Sequence, residues 1–475
     1  MKLIKNYLYK VSYDIFILLV PIITAPYIAR ILGAHNIGIF AYVNSVVSLI
    51  MNIALLGTYT YGCREVAYVS KQKDTSVVFR EIFTLRILLL AVSSVIYFGV
   101  ALLEKHFGIY YLLYFLWFVS NYIDVSWLFV GKEDMKIPTI KNFVGKIIFI
   151  VCLFLFVKDK NDLNIYFILN AVISFMSNVS IFPQLKKYVT FGKLNLKNSY
   201  KHLLPCVQLF LPSIASILYI QIDKIMLQYF TDMSNVAYYE QAEKIVKVPL
   251  AIVTSLAVVM MPKVANKIKN NFNKEEVIKD IVFGLNFCSI LVYPMAIGIA
   301  CISYQVVPWY LGKEFLPVAR IMIALSPIII TNAYRNISGN VYLVAANKTN
   351  VLTISNVMAC VINLIVNIVL IPVYGVVGAA MGTVIAEVVC FGIQSYYLIK
   401  DLKIAKYYIQ SLKYLVYGIP MGVFLIYFTN KVSSNVYNTF IEVFLGVLIY
   451  GGTLLILKDR YTIKILDILK DRIKK

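Results

Sequence analysis

The residues in this chain most able to do chemistry are charged side chains inside apolar runs. Arg30, Arg86, Lys146, Lys247 and Arg335 lie within or at the end of stretches dominated by Leu, Ile, Val and Phe. They read as cations without an obvious opposite charge nearby in the sequence. A charge at mid-membrane depth costs roughly 3 kcal/mol on insertion scales, so five of them imply an anionic client. Guanidinium groups suit bidentate contact with phosphate, and lysine supplies a point charge. Asn332, Asn336 and Asn340 recur every four residues beside Arg335, and Asn332 and Asn336 join the candidate substrate contacts. A second set, Asp124, Glu240, Lys244 and Glu387, could carry a coupled ion or gate. Glu240, Lys244 and Lys247 share one helical stripe, and Glu240 and Lys244 equally make an i, i+4 ion pair. Pairs such as Asn121 with Asp124 and Asn363 with Asn367 either glue helices together or face water. Asp223 and Lys224 either snorkel at the surface or face inward.

These side chains need elements to hold them, and composition names the solvent. Of 475 residues, 60% are apolar and 15% charged, against about 25% charged in soluble domains. A soluble globule, a disordered chain and a nucleic-acid-binding domain fit poorly. The formal charge of +21 then reads as basic cytoplasmic loops and contacts with anionic lipid. Seven cysteines, most of them in apolar runs, have no disulfide or metal spacing, and His35, His106 and His202 are scattered. Neither a metal nor a cofactor is expected.

Apolar runs of about 18 residues or more predict membrane helices. Fourteen fit: 11–30, 38–60, 82–103, 108–130, 138–157, 163–183, 203–229, 245–262, 281–303, 318–345, 350–371, 375–399, 412–429 and 438–457. The first is too long for a cleaved signal peptide and has no small-residue cleavage site. Alternate connections hold 32 and 6 basic residues, so both termini are expected in the cytoplasm. A miscounted pair around Lys348 would make the total twelve. Outer connections are short, which argues against an inserted catalytic domain.

The expected class is an all-α polytopic membrane protein with two six-helix halves. Asn36–Phe40 matches Asn235–Tyr239, and Thr139–Asn142 matches Thr353–Asn356, both mapping a segment onto the sixth after it. Paired prolines, Pro21 with Pro26 and Pro205 with Pro212, fall in segments one and seven, where each removes a backbone hydrogen bond. An even offset predicts halves related by a pseudo-two-fold along the membrane normal. The expected organisation is an N-terminal lobe at 1–190, a second lobe at 191–400, and two further helices with a basic tail at 401–475.

Several motifs resemble one family. Pro26-Tyr27-Ile28-Ala29-Arg30-Ile31-Leu32-Gly33, followed by Asn36-Ile37-Gly38, resembles the start of the Wzx-type polysaccharide repeat-unit flippases of the MATE-like exporter superfamily. So do Tyr61-Gly62-Cys63-Arg64-Glu65-Val66-Ala67, and Asp124-Val125-Ser126-Trp127 with Gly131-Lys132-Glu133. Gln221-Ile222-Asp223-Lys224, Tyr238-Tyr239-Glu240-Gln241-Ala242 and Met261-Pro262 complete the set, covering roughly residues 10 to 400. The resemblance implies a flippase, not an enzyme, for an oligosaccharide on undecaprenyl pyrophosphate in a bacterial inner membrane. The glycan would feed O-antigen, capsule or a similar polymer, with a polysaccharide polymerase and a chain-length regulator as candidate partners. In this reading Arg30, Arg86, Lys146, Lys247 and Arg335 hold the pyrophosphate in a cavity between rocking halves. Arg64 and Glu65 form an inner gate or loop clamp. The alternatives are a MATE-type cation-coupled exporter, whose cavity would be acidic and aromatic, and a membrane polysaccharide polymerase.

Overall fold

A computed structural model describes residues 2–69, 72–190, 192, 196–270 and 273–463. The described residues contain helices and no strand. In order, the α-helices are α1 (Lys2–Leu55), α2 (Thr58–Tyr68), α3 (Gln72–Leu103), α4 (Gly108–Ile123), α5 (Ser126–Gly131), α6 (Lys136–Phe156), α7 (Leu163–Val179), α8 (Leu196–Ser199), α9 (Leu203–Phe230) and α10 (Met233–Lys247). They continue with α11 (Leu250–Asn270), α12 (Lys274–Tyr310), α13 (Pro317–Leu325), α14 (Ile328–Arg335), α15 (Thr349–Tyr374), α16 (Val376–Leu402), α17 (Ala405–Ser411), α18 (Lys413–Thr429) and α19 (Val436–Ile456). A π-helix, Asn336–Leu343, extends α14.

The side chains are distributed inside out relative to a water-soluble protein. On α15, Ile354, Val357, Val361, Ile365 and Ile368 are exposed, whereas Ser355, Asn363 and Asn367 are buried. An apolar outer face suits acyl chains, and inward polar groups find partners: Asn367 donates to Asn363 (3.2 Å). That bond lies within α15, and Asn367 also packs on α16, where a Cβ at Gly382 would collide with its Oδ1.

Eleven helices are long and apolar enough to cross a membrane, or twelve with one bent pair, among the described residues. The fourteen-segment expectation is not reproduced, for identifiable reasons. Leu19–Tyr68 counts as one candidate, although it holds residues 19–30 of the first expected segment and all of 38–60 on either side of a kink. It is broken at Gly33, whose φ of +74° is easily adopted only without a Cβ. The bent pair is Leu196–Leu211 with Ile214–Phe230, at 66°, and Pro212 falls in the break. Segment 245–262 corresponds to α11, which is not among the candidates.

Two compact units emerge, Met1–Gln228 and Tyr229–Lys475. Residues 196–228, expected in the second lobe, cluster with the first. Positions 464–475, most of the expected basic tail, lie outside the described residues.

The first unit shows what two of the motifs do. Trp127 is fully buried and stacks on Phe79, with ring centroids 5.6 Å apart. A Cβ at Gly62 would come within 2.6 Å of the Trp127 ring, and the Cys63 thiol donates to the Trp127 carbonyl (3.4 Å). The motifs at 61–67 and 124–133 are the two sides of one packing contact between α2 and α5.

Candidate functional site

The first unit builds a polar site around an interrupted helix. α4 ends at Ile123, Asp124 adopts an extended backbone, and α5 starts at Ser126. The interruption leaves carbonyls without intrahelical donors. Arg86, 1% exposed, supplies them: its Nε donates to the Tyr122 carbonyl (2.9 Å) and its Nη2 to the Asn121 carbonyl. On the other side, Asp124 Oδ1 accepts from the Ser126 backbone N–H (3.1 Å), the Ser126 hydroxyl (2.5 Å) and Lys141 Nζ (3.0 Å). Lys141 Nζ also donates to Ser126 Oγ (2.8 Å) and Asn178 Oδ1 (2.7 Å). All three ammonium donors are thereby used. Asn178 Nδ2 donates to Ser120 O (2.9 Å) and Oγ (2.8 Å), and Ser120 Oγ meets Ser174 Oγ (2.7 Å). A hydrogen-bonded network of this kind rigidifies its surroundings.

The network backs a cavity of about 140 Å³ among α4, α6 and α7. Asn178 and Ser174 belong to both network and cavity. Asn142, Asn170 and Ser177 add polar groups, Trp117 and Phe149 add rings, and Lys146 adds a charge. The Lys146 ammonium lies 5.6 Å from the Phe149 ring centroid, and among the described residues no carboxylate pairs with it. The recess thus offers a cation, amides, hydroxyls and two aromatic faces within helices that are otherwise apolar.

The other expected cations behave differently, and the expectation of unpaired charges is corrected for them. Lys247 pairs with Glu243, one helical turn earlier on α10. Arg335 Nε lies 3.2 Å from Glu387 Oε2 on α16. Arg86 is sealed against backbone carbonyls. Arg30 is exposed on α1, three residues before the Gly33 break. The carboxylates proposed as ion carriers are likewise engaged: Asp124 by Lys141, Glu387 by Arg335, and Glu240 by Lys244 (2.8 Å). Arg64 pairs with Glu65 (3.1 Å), and its guanidinium lies 5.2 Å from the Tyr61 ring centroid.

In the second unit the asparagine stripe forms a ladder. Asn336 Nδ2 donates to Asn332 Oδ1 (3.1 Å), and Asn340 Nδ2 donates to Asn336 Oδ1 (2.6 Å). It runs from α14 into the π-helix, a geometry frequent at functional sites. Asn332 and Asn336 thus contact each other, and Asn340 remains exposed.

Sequence reasoning did not pick out Trp117, Asn170, Ser174, Ser177 and Asn178 of the recess. A usable signal was present: Asn170, Ser174, Ser177 and Asn178 recur at helical spacing on α7, as the flagged asparagines do on α14.

Comparison with known proteins bears on this geometry. Residues 3–267 match the family described as "Polysaccharide biosynthesis protein". The chain belongs to that family. A relative from Shigella dysenteriae, described as "Putative O-antigen transporter", is 23% identical over 380 residues, covering 78% of this chain and 93% of that one. A solved structure of the lipid II flippase MurJ superposes with a TM-score of 0.72 at 18% identity, covering 95% of this chain and 99% of that one. A multidrug resistance MATE family transporter of the MOP superfamily gives a TM-score of 0.64 at 15% identity, covering 83% and 96%. The fold is that of the MATE-like transporters, and the resemblance to repeat-unit flippases drawn from the motifs stands. The chain is a multi-pass membrane protein.

Proposed function

We propose that this protein moves a lipid-linked oligosaccharide, carried on a polyprenyl pyrophosphate, across a bacterial inner membrane for surface polysaccharide synthesis. Sugar hydroxyls and phosphates cannot enter hydrocarbon bare, because each lost hydrogen bond to water costs several kcal/mol. A carrier must offer replacement partners at membrane depth. The observation that carries the reading is the Lys146 recess: one cation without a carboxylate partner, with Asn142, Asn170, Ser174 and Ser177 around it. Lys146 takes the phosphate, the amides and hydroxyls take sugar hydroxyls, and Trp117 offers a flat ring to a pyranose face. The Asp124–Lys141 network holds these groups in place without contacting substrate. The carrier performs no covalent chemistry in this reading, and access to the recess alternates between the two sides of the membrane. Both termini are cytoplasmic, as the basic loops imply. An interior-negative potential favours outward movement of an anion by about 2.3 kcal/mol per charge per 100 mV.

The family membership and the Shigella relative support the substrate class. A cation exporter is the weaker reading, since Asp124 and Glu387 are occupied by Lys141 and Arg335. The test is to delete the gene and follow the lipid-linked oligosaccharide. It should accumulate in the inner leaflet and surface polymer should vanish; normal polymer in the deletion strain would rule the function out.

A further inference from the structure

We propose that Glu442, on the C-terminal helix pair, is a proton-binding site that carries a neutral carboxylic acid within the membrane. Glu442 is 0% exposed, and neither carboxyl oxygen has a hydrogen-bond partner among the described residues. It lines an apolar cavity of about 430 Å³ among α12, α18 and α19. Glu442, Gly446 and Tyr450 recur every four residues on α19 and all line that cavity, and the Tyr450 hydroxyl is also without a partner. Ile290, Pro294, Met421 and Leu425 make up much of the rest.

Among the described residues no charge offsets an ionised Glu442. Tyr450 is the other titratable group lining the cavity. From α18, the Thr429 hydroxyl faces the carboxyl but donates to the Leu425 carbonyl (2.6 Å). Lys413 is committed to Asp459, which also accepts from Tyr414, and Tyr417 lies against Tyr414. From α12, the Cys301 thiol reaches toward the Gly422 carbonyl (3.8 Å) and Tyr293 meets Tyr334. An anion stripped of water with no partner is the costliest group a membrane protein can hold. A bound proton removes that charge and turns the side chain into a donor. This sets Glu442 apart from Asp124, Glu240 and Glu387, each of which has a cation. The proposal rests on the membrane-spanning fold and holds whatever solute the protein carries.

Dicyclohexylcarbodiimide, an apolar reagent that adds to the neutral acid, tests it. Membranes carrying the full chain are treated at pH 7 and the modified carboxyls located by peptide mass spectrometry. Glu442 should be labelled, whereas Asp159, an exposed carboxylate, should not, and E442Q should lose the label. Because a neutral amide imitates the neutral acid, E442Q should melt with the wild type. Glu442 labelled no more than Asp159, or E442Q melting well below the wild type, would overturn the proposal. If E442Q does not accumulate, the wild-type comparison of Glu442 with Asp159 decides alone.

Discussion

Three cations on apolar helices meet three different fates, and these separate transport from stability. Lys146 faces a polar recess with no carboxylate. K146Q should therefore fold and insert normally while losing transport by roughly tenfold or more, the scale of a charged hydrogen bond; surface polymer measured at matched protein levels checks this. Arg86 feeds carbonyls at the end of α4. R86Q should cost about 2–4 kcal/mol by leaving buried acceptors unmet, seen as a lower melting temperature in detergent. Arg335 and Glu387 form a partly buried pair. E387Q should destabilise by about 1–3 kcal/mol, and a double-mutant cycle with R335Q should return a nonzero coupling. These differences were only partly legible in the residues. Glu243 is one turn from Lys247 and could have been paired by inspection. Glu387 is 52 positions from Arg335, and the Tyr122 carbonyl that receives Arg86 is a backbone atom that no pattern of side chains announces.

Helices were easier to read than their interruptions. Long runs of Leu, Ile, Val and Phe specify a membrane segment directly, because length and apolarity are all the bilayer requires. The interruption at Asp124 was less visible. Its aspartate looks like a buried charge until Ser126 and Lys141 are seen to close around it. The break at Gly33 separates the two expected segments 11–30 and 38–60, and glycine conformation is not written in hydropathy. A stabilising contact beyond the last helix was also missed. Asp459 is buried, accepts from the Tyr461 (3.1 Å) and Thr462 (3.0 Å) backbone N–H groups, and pairs with Lys413. Burial opposes its charge, but these donors, Lys413 foremost, hold the carboxyl below the usual carboxylate range. A depressed value means the contact stabilises at neutral pH and fades as pH falls through the folded value. D459N should lower the melting temperature at pH 7, equivalent to about 1–3 kcal/mol. The gap from wild type should narrow as the pH is taken below the usual carboxylate range.

At the scale of the whole molecule, a positively charged, apolar chain with a MATE-like fold belongs to the polysaccharide biosynthesis family. The composition and motifs conveyed the membrane class and the family, because the first depends on bulk properties and the second on packing motifs such as Gly62 against Trp127. The recess itself emerged only when α4, α6 and α7 were brought together, since its lining is drawn from three separated segments. The most direct measurement uses purified protein in sealed liposomes containing a lipid-linked oligosaccharide on polyprenyl pyrophosphate, with leaflet exposure read by an impermeant glycosidase. Wild-type protein should equilibrate the lipid between leaflets, faster when the potential drives the anion, and K146Q should leave most of it where it began. Equal movement with wild type and K146Q, or none with wild type under either sign of potential, would contradict the assignment of Lys146 and its recess to the cargo.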